Sequence, residues 1–446
     1  MTIKELYTLY QQHPCITTDS RDCPEGSIFL ALKGETFDGN KFALQALEKG
    51  CAYAIVDESC DFPADDERII KVHDTLQTYK DLARQHRRQF KIPVIGITGT
   101  NGKTTTKELI ATVLSKSYHV LATEGNYNND VGVPKTLFRL NDDHDIAVIE
   151  MGASHPGDIK TLVETAEPTC GIITNVGRAH LQGFGSFEGV KKTKGELYDF
   201  LAKLQAEDFE NGLIFLNEDD ADLVAMAQER NLIFQSGYGL NDNEDVIVRG
   251  EVVACDPFLR FRWWLQDEVD GDSEKMTVAT HLIGSYNIYN MLAAITIGIH
   301  FDVDIDDINA ALEEYMPRNN RSQLTETPHN HLIVDAYNAN PSSMAAALRN
   351  FRDMAVSPKM AILGDMRELG ETSLQEHQRA VDMMKECGLE EVWLVGEEFA
   401  KTQCDYRKFP DVEAVQTAIK SQRPEGFYIL IKGSNSVKLY QLPELL

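Results

Sequence analysis

The sequence predicts an α/β protein of three domains, each with a β-sheet covered by helices. Short β-branched apolar runs alternate with helix-forming segments along most of the 446 residues, and this alternation is typical of parallel sheets. The alternation is interrupted before Pro93 and again near Pro317. We therefore expect domains at residues 1–85, 86–316 and 317–446, lengths at which each domain can bury a core of its own.

The first domain is predicted to be a small α/β unit. Its strand-like runs lie at residues 27–32, 52–56 and 69–72, and a helical stretch lies at 41–49. A basic, helix-like segment at 82–91 then leads to the first boundary.

The second domain is predicted to begin as a parallel sheet and to end in antiparallel strands. Parallel strands are expected at residues 94–98, 145–150, 171–175, 213–216 and 232–236. Helices are expected at 104–117, 157–166, 186–204, 286–299 and 305–315. The runs that alternate in the manner of antiparallel strands lie at 246–255, 258–265 and 275–279.

The third domain is predicted to repeat the strand–helix alternation as a small, doubly wound, Rossmann-like sheet. Its strands are expected at residues 331–335, 360–363, 392–395 and 427–431. Its helices are expected at 342–353 and 412–421. It contains no phosphate-binding loop of its own, so any nucleotide is expected to be held mainly by the second domain.

The segment VIGITGTNGKTTT predicts a phosphate-binding loop (P-loop) after the first strand of the second domain. Strand, glycine turn and helix follow in that order, so backbone N–H groups and a helix N-terminus surround one point. Gly99 and Gly102 let the backbone approach an anion, Lys103 would reach the β- and γ-phosphates, and Thr104 would hold Mg²⁺. The standard motif has a glycine where this chain has Ile97, so the loop is a shortened variant.

The ends of the neighbouring strands supply candidate ligands, because open parallel sheets bind ligands outside the carboxyl ends of their strands. Glu150 ends one strand, where a carboxylate can bind Mg²⁺ directly or through water, although a capping or solvated carboxylate is an equally ordinary reading. His180 follows the next strand at the same edge. Its position beside Lys103 and Glu150 favours ligation over the structural role that a lone histidine usually has.

Two further clusters in the second domain are less specific. Lys191, Lys192 and Lys194 form a basic run, and such a run usually forms a solvated helix face. Three lysines near a nucleotide site are nevertheless unusual in a chain this acidic. Asn287 and Asn290 share one face of a helix, where an asparagine can read an adenine edge or simply cap the helix.

Polar residues also follow the strands of the third domain. Arg321 lies on the polar hinge before this domain, where it could act as a charge clamp on the γ-phosphate if the domains close. The strand at 331–335 ends in a cluster that includes Asp335, Asn338 and Asn340. Such a cluster is poor core material, so we favour ligand contact over a solvated loop.

The composition excludes several classes of protein. The net charge of −27 argues against nucleic acid or an anionic membrane as a partner, because both require a basic face. The eight cysteines are scattered and contain no CxxC pair, which indicates a reduced, cytoplasmic protein rather than a disulfide scaffold or a zinc site. No apolar signal segment and no run of 18 apolar residues is present in the sequence, so neither a signal peptide nor a membrane span is expected.

The segment GTNGKTT at 99–105 resembles the P-loop of the Mur ligases and the folylpolyglutamate synthetases, in which the glycine pattern is similarly shortened. Within that superfamily, further blocks in all three domains resemble the branch that extends a UDP-muramoyl-tripeptide. The blocks are TDSR at 18–21, FLALKGE at 29–35, FDG at 37–39, GNYNNDVGVP at 125–134, AHL at 179–181, GFGS at 183–186, KGE at 194–196, DAYNANPSS at 335–343, GDM at 364–366, ELG at 368–370 and KGS at 432–434.

The resemblance implies an ATP-dependent amide ligase of peptidoglycan precursor synthesis, expected to work as a cytoplasmic monomer. ATP would phosphorylate the free carboxylate of UDP-N-acetylmuramoyl-tripeptide, and the amine of D-alanyl-D-alanine would attack the acyl phosphate. ADP and phosphate would be released. A carboxylate is a poor electrophile until its oxygen becomes a leaving group, so catalysis would consist mostly of positioning and charge neutralisation. The first domain would bind the UDP-sugar, the second ATP, and the third the dipeptide.

The resemblance also implies roles for individual residues. Lys103, His180 and Lys194 would be catalytic, and Lys194 would carry a carbamate formed with CO₂, although Lys192 is close enough to be the modified residue instead. Two Mg²⁺ ions would be held by Thr104, Glu150, His180 and carbamylated Lys194. The adenine of ATP would contact Asn287, a phosphate or the ribose would contact Arg321, and the ribose would contact Asp335. The other residues that would contact ATP are Gly99, Thr100, Asn101, Gly102, Lys103, Thr104 and Thr105. The UDP-sugar, peptide or dipeptide would contact Ser20, Arg21, Asn128, Asn129, Asn338 and Asn340.

Three alternatives stay open from the sequence. Two are other amide ligases of the superfamily, which add a diamino acid to UDP-muramoyl-dipeptide or glutamate to folate. The first-domain blocks and the DAYNANPSS block at 335–343 argue against both. The third is a P-loop switch that binds a nucleotide and signals by changing conformation, although a switch would not need a third domain with polar strand ends. The sequence leaves open whether the third peptide residue is meso-diaminopimelate or lysine.

Overall fold

The computed structural model describes residues 1–34, 36–62, 66–208, 211–266, 271–317 and 323–446 of the chain. Three sheets follow one another in the sequence, and helices cover each of them. The predicted α/β fold of three domains with parallel sheets is therefore confirmed.

The first domain has a parallel sheet of four strands in the order β1-β2-β3-β4. Its elements are α1 (Ile3–Gln12), β1 (Ile16–Thr17), β2 (Ile28–Leu30), α2 (Ala43–Glu48), β3 (Tyr53–Asp57), β4 (Ile69–Val72) and α3 (Thr75–Arg87). Thr2 and Glu5 form a capping box that starts α1. Helix α3 begins earlier than the predicted segment at 82–91 because the Asp74 carboxylate accepts a hydrogen bond from the Gln77 N–H and caps it.

The second domain is the largest, and its strands and helices alternate up to the antiparallel segment. Its strands are β5 (Val94–Thr98), β6 (Val120–Ala122), β7 (Ile146–Glu150), β8 (Cys170–Ile173), β9 (Leu213–Asn217), β10 (Gln235–Gly239), β11 (Val246–Cys255), β12 (Phe258–Leu265) and β13 (Met276–Ile283). Its helices are α4 (Lys103–Leu114), α5 (Gly132–Leu137), α6 (Asp158–Ala166), α7 (Leu181–Phe184), α8 (Phe187–Glu207), α9 (Ala221–Gln228), α10 (Ile288–His300) and α11 (Ile305–Glu314).

The strand order of this sheet, β13-β12-β11-β10-β9-β8-β5-β7-β6, places β5 between β8 and β7. Both faces of the sheet are covered: α4, α10 and α11 pack on one face and α5, α6, α8 and α9 on the other. The carboxyl ends of β5, β7 and β8 therefore meet at one edge, where the P-loop and Glu150 lie. The antiparallel strands predicted after residue 245 are confirmed, and β13 continues to Ile283.

The third domain has six strands in the order β14-β15-β19-β16-β17-β18, all parallel except the edge strand β14. Its strands are β14 (Gln323–Glu326), β15 (His331–Asp335), β16 (Lys359–Gly364), β17 (Glu391–Val395), β18 (Arg407–Phe409) and β19 (Tyr428–Lys432). Its helices are α12 (Pro341–Asp353), α13 (Ser373–Met384), α14 (Glu397–Ala400) and α15 (Val412–Ser421). Short 3₁₀ helices occur along the chain at Gly39–Phe42, Ser285–Asn287, Gly370–Thr372, Asn435–Val437, Leu439–Gln441 and Pro443–Leu445.

Helix α10 is apolar on most sides because it lies between the sheet and α4. It has only 13 residues. Across the described ranges, no helix combines the length and the apolarity needed to cross a membrane.

Helix α3 joins the first domain to the second, because it packs against α1 on one side and against α5 and α6 on the other. Arg87, at the end of α3, is only 7% exposed. Its guanidinium donates hydrogen bonds to four backbone carbonyls, those of Ala166 (3.2 Å), Phe90 (2.7 Å), Ile92 (3.4 Å) and Glu167 (3.3 Å). These carbonyls include the end of α6, so one buried side chain fastens the two domains together.

We expect Arg87→Met to lower the free energy of unfolding by roughly 2–4 kcal/mol, because several buried carbonyls lose their donor. Arg88→Met is the matched control. Arg88 makes an exposed ion pair with Glu167 (2.5 Å), a type of interaction that contributes at most about 1 kcal/mol. Urea unfolding followed by circular dichroism measures both variants, and equal midpoints for the two would contradict the role of Arg87.

Candidate active site

The P-loop connects β5 to α4, and the residues that follow β8 hold its backbone in place. The backbone N–H groups of Thr100 and Asn101 donate to the carbonyl and to the side-chain oxygen of Asn175, each at 3.0 Å. Gly99 has φ +144°, and a side chain there would collide with Thr174. Gly102 has φ +79° and starts α4 in the left-handed conformation that favours glycine.

Lys103 lies over the loop that it follows. Its ammonium donates to the carbonyls of Gly99 (2.8 Å) and Thr100 (3.1 Å). Thr104, the next residue, is buried in the first turn of α4. The strand–loop–helix order predicted from the sequence is therefore present, with the lysine at the mouth of the loop.

Two asparagines at the start of α10 lie against the P-loop and the first turn of α4. Asn290 accepts a hydrogen bond from the Thr106 hydroxyl (3.0 Å) and donates one to the Asn287 side chain (2.7 Å). Asn287 in turn donates to the Ile283 carbonyl (2.8 Å). Both side chains are largely enclosed, and the Asn290 amide fills the space that a side chain on Gly102 would need. The predicted contact of Asn287 with adenine stays a prediction.

The P-loop opens into a cavity of about 1070 Å³, which is at the upper end of the usual size of ligand sites. All three domains contribute to its lining. Lys80 comes from the first domain. Predicted residues that line it are Thr100, Asn101, Gly102, Lys103, Thr104, Thr105, Asn128, Asn129, Glu150, His180, Asn287, Asp335, Asn338 and Asn340.

Glu150 ends β7 with its side chain only 1% exposed. One carboxylate oxygen accepts a hydrogen bond from the Asn128 amide (2.8 Å). The other, Oε2, is buried and has no hydrogen-bond partner in the described part of the chain. A buried carboxylate oxygen without a partner is costly, so this position is suited to a cation.

The donor set around Glu150 fits a magnesium ion shared with phosphates. Among the residues that the structure describes, no group of three or more histidine, cysteine, aspartate or glutamate side chains forms a ready-made metal cage. Magnesium in nucleotide enzymes is commonly held by one or two carboxylates together with phosphate oxygens and water. Glu150 and the buried hydroxyl of Thr104 line the same cavity and match that arrangement.

Lys194 lies on α8 behind the cavity wall and is 2% exposed, whereas Lys192 is exposed. Burial, with the nearby charge of Lys103, lowers the pKa of Lys194 well below its ordinary range. The Lys194 amine makes no hydrogen bond or ion pair within the described ranges, and lies 5.8 Å from the centre of the Phe184 ring. Such an amine is neutral at a pH where an ordinary lysine is charged.

His180 lies on the cavity wall with φ +50°, at the start of α7. Its Nδ1 contacts the Glu368 carboxylate, which comes from the third domain. Burial lowers the pKa of His180, and the Glu368 charge opposes this effect. Glu368 was not predicted as a site residue, although it lies in the ELG block that follows β16.

The polar cluster after β15 is also at the cavity, but its side chains have partners. The Asp335 carboxylate accepts from the buried Lys432 ammonium at 2.5 Å. Asn340 caps α12 by accepting from the Ser343 N–H, and its amide donates to the Asn101 side chain at 2.8 Å. Asn340, predicted to contact substrate, therefore links the third domain to the P-loop.

Two predicted residues of the first domain do not line the cavity. Ser20 is buried and its carbonyl accepts from Lys49 at 2.6 Å, and Arg21 is exposed and paired with Asp19 at 2.7 Å. Neither lines the cavity. Arg321 lies outside the described residues.

One wall of the cavity was missed in the sequence. It is formed by Asn217 at the end of β9, by Asp219 just after it, and by Tyr289 of α10. The Asp219 carboxylate accepts from the Tyr289 hydroxyl at 3.2 Å and from the Leu240 N–H at 2.6 Å. The strand-end argument that identified Glu150 applies equally to β9 and would have found this wall.

Comparison with known proteins places the three domains in one family. Three family models match in chain order: the Mur ligase family catalytic domain at residues 14–87, the Mur ligase middle domain at 97–298 and the Mur ligase glutamate ligase domain at 320–435.

Full-length relatives agree with these matches. A UDP-N-acetylmuramoyl-tripeptide–D-alanyl-D-alanine ligase of Synechocystis is 35% identical over 95% of this chain and 90% of its own length. A crystal structure of MurF from Acinetobacter baumannii is 29% identical with a TM-score of 0.84, covering 97% of this chain and 96% of that one. A MurF structure from Thermotoga maritima in complex with ADP is 26% identical, with the same coverage and a TM-score of 0.83. On this evidence, the chain belongs to the Mur ligase family.

Proposed function

We propose that this chain joins D-alanyl-D-alanine to UDP-N-acetylmuramoyl-tripeptide, using ATP and forming an acyl phosphate, in peptidoglycan precursor synthesis. The observation that carries the proposal is a cavity lined by all three domains around the P-loop. The full-length relatives named for this reaction, and the related structure in complex with ADP, support it. Because one chain supplies all three walls, we also propose that it acts as a monomer, in the cytoplasm.

The P-loop is suited to bind the phosphates of ATP and to hold the γ-phosphate close to the tripeptide carboxylate. Backbone N–H groups at the start of α4 and the Lys103 ammonium supply positive charge at one point. Lys103 now donates to two loop carbonyls, and phosphate oxygens are stronger acceptors for the same ammonium. Holding both reactants in line converts a bimolecular step into an intramolecular one.

Glu150, Thr104 and His180 are the residues that would hold magnesium. The ion would neutralise phosphate charge as phosphoryl transfer begins. The lone Oε2 of Glu150 supports this assignment most directly. His180 is held on the cavity wall by Glu368, so the third domain helps to orient it.

The Lys194 amine is suited to carry a carbamate. A neutral amine attacks CO₂, forms the C–N bond and releases one proton, and burial favours the neutral form here. The product is an anion, which Lys103 and a bound cation can stabilise. Lys192 is exposed and lacks this environment, so we assign the modification to Lys194.

Acyl transfer then needs the amine of the dipeptide at the activated carbonyl. The tetrahedral intermediate carries negative charge on oxygen, and the donors of the P-loop, including Lys103, can stabilise it. The cavity encloses this step between the second and third domains, which limits hydrolysis of the acyl phosphate by water.

Phosphate release from ATP is expected to require both UDP-N-acetylmuramoyl-tripeptide and D-alanyl-D-alanine, and a coupled phosphate assay measures it. Lys103→Met should reduce kcat/KM by at least about 100-fold because a charge-assisted contact to the phosphates is lost. Lys116→Met, which removes a surface ion pair with Glu314, should leave it unchanged. Release that depends on neither substrate, or on UDP-muramoyl-dipeptide and a diamino acid, would defeat the proposal.

Glu150→Gln is expected to raise the magnesium requirement of the enzyme without lowering its thermal stability. The magnesium concentration for half-maximal activity should rise at least about tenfold, since a ligand is weakened. Without magnesium, the thermal midpoint should rise or stay constant, because a buried carboxylate with one unpaired oxygen is replaced by a neutral amide. Glu164→Gln, at an exposed carboxylate of α6, is the control. A lower midpoint with unchanged magnesium dependence would remove Glu150 from the metal site.

Labelling with ¹³C-bicarbonate tests the carbamate independently of activity. A carbamate signal in the NMR spectrum is expected from the wild type and from Lys192→Met, and none from Lys194→Met. Lowering the pH protonates the amine and releases CO₂, so signal and activity should fall together as the pH falls. A signal that survives in Lys194→Met would rule out this assignment.

A further inference from the structure

Residues 175–182 follow β8 and contact both the P-loop and the third domain; we call them the linking segment. On the P-loop side, the Gly177 N–H donates to the Thr100 hydroxyl (2.9 Å), which donates in turn to the Gly177 carbonyl (3.3 Å). The Thr100 N–H also donates to the Asn175 carbonyl (3.0 Å). The linking segment is therefore fixed against the loop that is suited to bind phosphates.

The other side of the linking segment contacts the third domain. The Arg178 N–H donates to the Ser342 hydroxyl of α12 (3.1 Å), and the Arg178 guanidinium lies 3.6 Å from the Glu376 carboxylate of α13. Further along, the Gln182 N–H donates to the Glu368 carbonyl (3.3 Å). Glu376 is only 6% exposed and makes no other ion pair in the described ranges, so Arg178 is its partner across the domain contact.

Gly177 and Arg178 hold the P-loop and the third domain at a fixed separation. The two residues are consecutive, so their Cα atoms lie about 3.8 Å apart. The N–H of Gly177 nevertheless bonds to the P-loop, and the N–H of Arg178 bonds to α12. A side chain on Gly177 would come within 2.9 Å of the Ser342 hydroxyl and 3.3 Å of the Thr100 methyl group, so the contact is tight on both sides.

Arg178 is not among the residues that line the P-loop cavity. It lines a second cavity, of about 360 Å³, between the second and third domains, and its side chain is 58% exposed. Any effect of Arg178 on a bound nucleotide must therefore pass through its neighbours, Gly177 on one side and the third domain on the other.

This arrangement couples nucleotide binding to closure of the third domain. A nucleotide in the P-loop would fix Thr100 and, through it, the linking segment, so the surface that receives Ser342 and Glu376 is ordered in advance. Coupling of this kind is reciprocal: the factor by which a nucleotide favours closure is the factor by which closure favours the nucleotide.

We infer that Arg178 is a positioning residue that ties closure of the third domain to nucleotide binding at the P-loop. The Arg178–Glu376 pair needs the third domain to lie against the second, so it stabilises the closed arrangement over an open one. This inference rests on the proposed function and adds to it the side chain through which the third domain responds to ATP.

Calorimetric titration with ADP and magnesium tests the coupling without turnover. Arg178→Gln is expected to raise the Kd for ADP roughly two- to fivefold, the range that a partly exposed ion pair supplies. Arg178→Lys keeps the charge and should recover part of the affinity. Arg379→Gln is the matched control and should bind ADP like the wild type. Arg379 lines the same second cavity but has no hydrogen-bond or ion-pair partner among the residues that the structure describes.

A double-mutant cycle and solution scattering separate this role from a general loss of structure. In a Glu376→Gln background, Arg178→Gln should have no further effect on the Kd for ADP, because its partner is already neutral. Small-angle X-ray scattering should show a decrease in the radius of gyration when the wild type binds ADP, and a smaller decrease for Arg178→Gln. A merely structural role would lower the thermal midpoint of Arg178→Gln without nucleotide and leave the scattering change intact.

Four results would overturn the inference. They are an unchanged Kd for ADP in Arg178→Gln, an equal increase in Arg379→Gln, a full effect of Arg178→Gln in the Glu376→Gln background, and no change in scattering when the wild type binds ADP. Failure of the proposed function is distinguishable from all four. In that case ADP affinity and scattering would behave as expected, and the wild type would release no phosphate in response to D-alanyl-D-alanine.

Discussion

The active-site cavity depends on the backbone of one loop, which three asparagines hold in place from three directions. Asn175 fixes the N–H groups of Thr100 and Asn101, Asn290 lies under Gly102, and Asn340 bonds to the Asn101 side chain. An asparagine side chain both donates and accepts, so it can pair with backbone and with another amide at the same time. The loop needs such support because its glycines adopt backbone conformations that are not fixed by their own side chains.

Around this loop, ionisable groups are buried in a way that favours ligand binding at the expense of stability. Glu150 has an oxygen without a partner, and Lys194 has an amine without one, within the described residues. Each would be more stable in water, and neither is paired with the other. Groups that are desolvated and fixed before a ligand arrives interact strongly with it, because little reorganisation is left. The stability lost by burying these groups is offset by the large apolar clusters on both faces of the nine-stranded sheet.

The fold could be predicted to a large extent because its main signals are local. The apolar runs of β5, β7 and β8 and the glycine loop after β5 are visible in short stretches of sequence. Helix α13 and the short edge strands β14 and β18 were missed, since they are polar or only a few residues long. For the site, strand ends identified Glu150 and His180. Contacts between domains, such as those of Glu368 with His180 and of Arg178 with Glu376, depend on packing that no local pattern records. The same holds for Lys192 and Lys194, whose burial differs although they are two residues apart.

The contact between the first and second domains differs in kind from the contact between the second and third. We expect this difference to decide which side of the cavity opens to substrates. Arg87 ties α3 to the end of α6 through buried carbonyls. Beside the cavity, the third domain is joined to the second by single hydrogen bonds, such as that of the Arg178 N–H with the Ser342 hydroxyl and that of the buried Asn340 amide with the Asn101 side chain. Losing one such bond costs about 1 kcal/mol, whereas removing the Arg87 side chain leaves several buried carbonyls without a donor at once. We therefore expect the third domain to separate from the second more readily than the first domain does, and so to be the part that opens for the substrates. Because the Asn340 amide donates to the Asn101 side chain, such an opening would also remove one of the three asparagine contacts that hold the P-loop. A single motion would then both admit the acceptor and loosen the loop that holds the nucleotide.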